Sequence, residues 1–199
     1  VVTLGTLALF RGLALIILGP RGVSDFPAGF TEIGFGHVPG TDIPWPFVIF
    51  LALALTLGVV LHRTWVGRQV YAIGKNKGAA RFSGVRVARV KIGLFILTAL
   101  TATIFAAVQV LSTGSADTLR GTQKEFEAII AVVIGGTLLT GGYGSAIGAM
   151  FGAFIFGFVQ MGIFYTGVDT DWFKLFMGAM LIIAVLFNSY VLRRATQNR

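Results

Sequence analysis

Cysteine is absent from this chain, so no disulfide framework and no thiol chemistry is open to it. Charge is scarce. Only 12% of the 199 residues are Asp, Glu, Lys or Arg, where soluble domains carry roughly a quarter. Acids are scarcer still, at 8 against 16 Lys and Arg. None of those acids falls in the middle of an apolar segment, which weighs against a proton-coupled carrier, because such carriers need an ionisable relay there. Histidine occurs twice, at His37 and His62, in separate segments, so no metal site is expected. Asp169 and Asp171 are paired carboxylates in a short loop and read as solvated turn residues. Gly74-Lys75 looks like the end of a phosphate-binding loop. That pattern requires Gly where Gln69 stands and Ser or Thr where Asn76 stands, so ATP binding by this motif is excluded. No catalytic residue is expected.

Apolar residues are abundant, at 55%, and the mean hydropathy is +0.84. The chain reads as an all-α polytopic membrane helix bundle with about six membrane segments. Val1–Gly19 is apolar but holds Arg11 near its middle. Either Arg11 lies at a boundary or cavity, or it marks a polar site within the membrane. With Gly5 and Gly12 nearby, an interrupted or tilted helix is expected. Residues 20–42 form a loop punctuated by Pro and Gly, and Ile43–Leu61 is a clean span. Ile92–Thr113 is the next span, with Thr98, Thr101 and Gln109 on a less apolar side. Phe126–Leu139 is too short for a regular span, and so is re-entrant, broken or extended by its flanks. Ser145–Tyr165 and Phe173–Val191 complete the set. Gly144, Gly148 and Gly152 recur every four residues, which lines one side of a helix with small groups where another helix can approach closely.

The +8 net charge does not point to nucleic acid, because the positive charge is concentrated beside apolar segments. Residues 63–91 carry Arg63, Arg68, Lys75, Lys77, Arg81, Arg86, Arg89 and Lys91 and no acid. Short loops rich in Lys and Arg stay in the cytoplasm. That places 63–91 inside, as a cytoplasmic loop within a single transmembrane domain spanning 1–199. By alternation it also places Arg193, Arg194 and Arg199 of the tail inside. No signal-peptide pattern opens the chain. The missing initiator Met and the apolar start lead to the expectation of a fragment whose beginning lies elsewhere.

Within the basic loop, Asn76 can cap a helix and Gly84 can end it. About two turns lie between them, with Lys77 and Arg81 on one face and Phe82 on another. Two readings stand: a loop resting on anionic lipid headgroups, or a docking element for a partner.

The run Gly67-Arg68-x-x-Tyr71-Ala72-Ile73-Gly74-x-Asn76-x-x-Ala79-Ala80-Arg81-x-Ser83-Gly84 resembles the cytoplasmic loop of bacterial ABC-transporter permeases of the ribose/xylose type. Ala128 through Gly135-Gly136-Thr137, followed by Gly141-Gly142-x-Gly144-Ser145, is similar to a second signature of that family, and Thr3-Leu4-Gly5 with Arg11-Gly12 to a third. The resemblance implies a membrane-spanning permease subunit of an ATP-driven sugar importer that lacks its first helices. It implies a coupling helix seated on an ATPase subunit through Asn76, Ala79, Ala80, Arg81, Phe82 and Gly84. ATP would be bound by that partner, with no cofactor on this chain. A second permease copy or paralogue, a periplasmic sugar-binding protein and membrane lipids are the other implied partners. The family pattern often carries Glu where this chain has Gly78. Gly135, Gly136, Gly141, Gly142, Gly144, Gly148 and Gly152 are candidates for packing and for lining the pathway, with Thr98, Thr101 and Gln109 as candidate solute contacts. A secondary carrier or channel working without an ATPase is the alternative.

Overall fold

The computed structural model describes residues 2–19, 22–24, 26, 29, 32, 34, 36–167, 172, 175–183 and 185–186. Asp169, Asp171, Arg193, Arg194 and Arg199 lie outside them, as do the ends of the last expected span. Among the described residues every regular element is an α-helix, and pairing between extended segments is limited to two isolated bridges. The helices are α1 (Val2–Leu18), α2 (Trp45–Arg63), α3 (Trp65–Lys75), α4 (Lys77–Phe82), α5 (Val87–Thr113), α6 (Lys124–Ile134) and α7 (Ala146–Tyr165). Three of them, α2, α5 and α7, are long and apolar enough to cross a membrane. The fold class is an all-α membrane helix bundle. The described residues thus hold fewer full-length spans than the six segments expected: α1 has 17 residues and α6 only 11.

The chain forms two compact units, Val1–Leu51 with Ile96–Thr122, and Ala52–Phe95 with Gln123–Arg199. In the first unit, α1 runs unbroken, so of the interrupted or tilted helix expected around Gly5 and Gly12 the interruption is not present. A helix-interior glycine costs roughly 0.5–1 kcal/mol, too little to break a helix rich in Leu and Ala. Arg11 Nη2 donates to the Thr122 hydroxyl at 3.1 Å, so its charged end reaches the polar 114–123 turn. Val23 and Ala116 exchange both backbone hydrogen bonds, at 2.9 and 2.8 Å, joining the segment after α1 to the one after α5.

The second unit holds the apolar core: Ile130, Ala131, Phe156 and Met177, with Ile134, Ala153, Met180 and Leu181 against it. The short 126–139 segment resolves as a broken one. Helix α6 stops at Ile134, and Gly136 turns left-handed at φ 81°. Gly136 N–H donates to the Val133 carbonyl and Thr137 N–H to the Val132 carbonyl, the double closure that satisfies a helix's last acceptors. Two further left-handed glycines, Gly141 and Gly142, reverse the chain into α7.

α7 crosses α6 at bare backbone. A Cβ on Gly135 would overlap the Gly148 carbonyl, and one on Gly152 would overlap the Ala131 carbonyl. The four-residue recurrence read in the sequence therefore marks the side of α7 that meets α6. Gly144 belongs to the turn before α7, against the Thr137 side chain. Gly157, further along α7, has nothing within 4 Å of its Cβ direction.

Candidate functional site

The basic stretch 63–91 is mostly helical rather than a loop. α3 begins one residue after α2, and α5 starts at Val87 instead of Ile92. The earlier start follows from local chemistry. After the stop at Gly84 no proline intervenes, and buried Val87 anchors the new helix. Arg89 and Lys91 are good helix formers whose exposed side chains do not oppose it.

α3 was not apparent from the sequence, yet its inner face has a pattern. Gly67, Val70, Tyr71 and Gly74 fall at i, i+3, i+4 and i+7, and all are buried or half-buried, while Trp65, Val66, Arg68, Ala72 and Lys75 are exposed. Gly67 is closed down on the Leu61 carbonyl. The face is legible only once the two glycines are read as contact positions.

Asn76 breaks the chain between α3 and α4. Its backbone is extended (φ −157°, ψ 108°), and its side chain Oδ1 accepts from the Gly78 and Ala79 N–H groups at 2.9 and 3.1 Å. Gly78 is one of these two donors. At the other end Gly84 is left-handed (φ 81°), its N–H donating to the Arg81 carbonyl and that of Val85 to the Ala80 carbonyl, both at 3.0 Å. This is the same double closure that ends α6. Ser83 Oγ adds a bond to the Ala79 carbonyl at 3.0 Å.

The six residues so framed present two unlike faces. Ala80 is 4% exposed and seats α4 on the second unit; Phe82 is 96% exposed. Lys77, Ala79 and Arg81 are exposed beside it. Lys77 lies against Lys91, with Arg81 close by, and no acid in 63–91 offsets them. The arrangement is a short helix capped at both ends that holds the Phe82 ring in the open. Asn76→Ala is expected to weaken it by about 1 kcal/mol through loss of the cap. Amide hydrogen exchange of residues 77–82 checks this, and should rise about fivefold, the factor that this energy represents.

The second glycine-rich motif comes to the same place. Tyr71 Oη donates to the Gly144 carbonyl at 2.6 Å. Gly74 faces the Gly141–Gly142 turn, where an added Cβ would stand 2.5 Å from Gly142 N. His62 Nε2 accepts from Ala146 N–H at 3.3 Å. Ser145 Oγ caps α7 by accepting from Gly148 N–H at 2.9 Å. Thr98, Thr101 and Gln109 lie on α5, in the first unit. Thr101 Oγ1 donates within its own helix to Leu97 and Thr98. Among the described residues no group of His, Asp or Glu is placed to hold a metal ion.

Comparison with known proteins assigns the family. Residues 1–185 match the model of the branched-chain amino acid transport system / permease component. The chain is 36% identical to the autoinducer 2 import system permease protein LsrD of Photorhabdus temperata, over 98% of this chain and 60% of that protein. Its identity to the LsrD proteins of Salmonella typhimurium and Yersinia enterocolitica is 35% and 36%, with the same coverage. The chain thus spans about 60% of the length of the curated relatives it matches. No solved structure matches it. These relatives are named as transport subunits and not as enzymes. The match over 1–185 and the identity with these permeases place the chain in the branched-chain amino acid transport system / permease component family.

Proposed function

We propose that this chain is the larger part of a permease subunit of an ATP-driven importer in the bacterial inner membrane, and that α4 is where the ATPase subunit docks. The observation that carries the reading is the capped helix α4, with Phe82 96% exposed and Ala80 4% exposed. A loop that only rests on headgroups needs charge, not a framed aromatic. On this reading 1–199 is one permease domain in which Asn76, Ala79, Arg81, Phe82 and Gly84 form the coupling surface, while Ala80, expected there from the sequence, is buried and seats α4 instead. ATP is bound and hydrolysed on the partner. Residues 63–91 and the C-terminus are cytoplasmic, following the excess of Lys and Arg.

Two permease copies, or this one with a paralogue, enclose the pathway, and a periplasmic binding protein delivers the solute. A small neutral solute of the sugar class fits a chain whose three long apolar helices, α2, α5 and α7, carry no acid. The relatives are named for autoinducer 2 import, which makes autoinducer 2 the first solute to test. Closure of the ATPase pair moves α4, and the spans carry that motion to the pathway. The glycines from Gly135 to Gly152 supply close packing beside it, with Thr98, Thr101 and Gln109 as solute contacts.

Uptake into proteoliposomes tests the reading. The full-length permease is expected to accumulate autoinducer 2 only when ATPase subunits, binding protein and ATP are all supplied. Uptake by the permease alone would instead make it a secondary carrier or channel.

A further inference from the structure

Three contacts tie residues 141–146 to the helices that lead to α4. The Tyr71 hydroxyl donates to the Gly144 carbonyl at 2.6 Å, in a part-buried position. Gly74, three residues along α3, closes on the Gly141–Gly142 turn with backbone against backbone. His62, at the end of α2, accepts from Ala146 N–H at 3.3 Å, and its ring centroid lies 6.3 Å from that of Tyr71.

The segment they grip is itself closed. Leu138 N–H donates to the Tyr143 carbonyl and Gly141 N–H to the Leu138 carbonyl, both at 3.0 Å. Its far end is the Ser145 cap of α7. From α4 a continuous path of packed groups therefore runs through Asn76 and α3 into the first turn of α7. Close-packed groups move as a body rather than deforming smoothly. Two of the three contacts are backbone to backbone or through an imidazole. Only Tyr71 makes a short side-chain bond from the face of α3 itself.

We infer that Tyr71 is a positioning residue for coupling. Its bond to Gly144 makes α3 and the start of α7 one body, so that a displacement of α4 by its partner is delivered to α7. The inference rests on the docking reading of α4 given above. Phe at position 71 keeps the ring and its packing but leaves the Gly144 carbonyl without its donor, and the joint can then slip. Tyr143, beside the same turn with its side chain 70% exposed, provides the control.

The test uses the full-length permease reconstituted with its ATPase subunits and binding protein, and reads autoinducer 2 uptake and phosphate release in the same vesicles. Tyr71→Phe is expected to retain the ATPase subunits and ATP hydrolysis, with a melting temperature lowered by only about 2–4 °C. Uptake per ATP hydrolysed should fall about fivefold, the factor one hydrogen bond of about 1 kcal/mol represents. Tyr143→Phe should leave that ratio unchanged. An unchanged ratio in Tyr71→Phe overturns the inference while leaving docking intact. So does a fall in uptake and hydrolysis together with a melting temperature lowered by more than this, since that marks a structural role only. Failure of the wild-type permease to bind ATPase subunits overturns the docking reading, and the inference with it.

Discussion

Phe82→Asp is expected to abolish association of the permease with its ATPase subunits while leaving membrane insertion unchanged. The side chain is 96% exposed, so replacing it removes no contact within the chain and leaves the α4 caps in place. Burying a Phe side chain in a partner's groove contributes about 1.5–3 kcal/mol. Setting a carboxylate in that groove without a partner adds a further penalty of roughly 1–3 kcal/mol. Together these weaken association by roughly two to four orders of magnitude. Co-purification of the ATPase subunits with the full-length permease, beside a membrane-fraction blot for the permease, separates the two effects. Ala80→Asp is a different experiment. Ala80 is 4% exposed, and a carboxylate there disrupts the seat of α4 before any partner is involved. Both positions belong to the same motif, and only the structure separates the exposed face of α4 from its buried seat.

Gly152→Ala is expected to destabilise the permease by about 1–3 kcal/mol, the usual effect of forcing extra volume into a packed contact. The added methyl group would overlap the Ala131 carbonyl and stand 2.6 Å from Gly135 N and 3.0 Å from Gly135 Cα. All these atoms are backbone, so α6 and α7 must move apart. The cost then spreads to the core around Ile130 and Phe156. Gly157→Ala, five residues on in the same helix, meets nothing within 4 Å. It should stabilise slightly, by about 0.4–1 kcal/mol, by restricting the unfolded chain. Thermal unfolding in detergent reads the opposite signs. Equal shifts for both variants would show that the glycines act only through helix propensity.

The features legible in the sequence were local ones. The Asn76 cap, the Gly84 stop and the four-residue glycine recurrence each depend on residues within a turn or two of one another, and sequence spacing records such relations directly. Of the interrupted or tilted helix expected around Gly5 and Gly12, the interruption did not form, because glycine permits a break without requiring one. What spacing could not supply was the meeting of the two motifs. Tyr71 and Gly144 are 73 residues apart, and no periodicity links a tyrosine on one helix to a carbonyl in a distant turn. α3 went unread for a related reason. Its inner face is built partly from Gly67 and Gly74, which count as gaps in an apolar pattern but act as contacts in the fold.

The docking of α4 can be tested by placing a photo-crosslinking phenylalanine analogue at position 82 of the full-length permease, in membranes that also contain its ATPase subunits. The account predicts one main adduct, between the permease and the ATPase subunit. Adducts with lipid alone, unchanged by the presence of the ATPase, would contradict it.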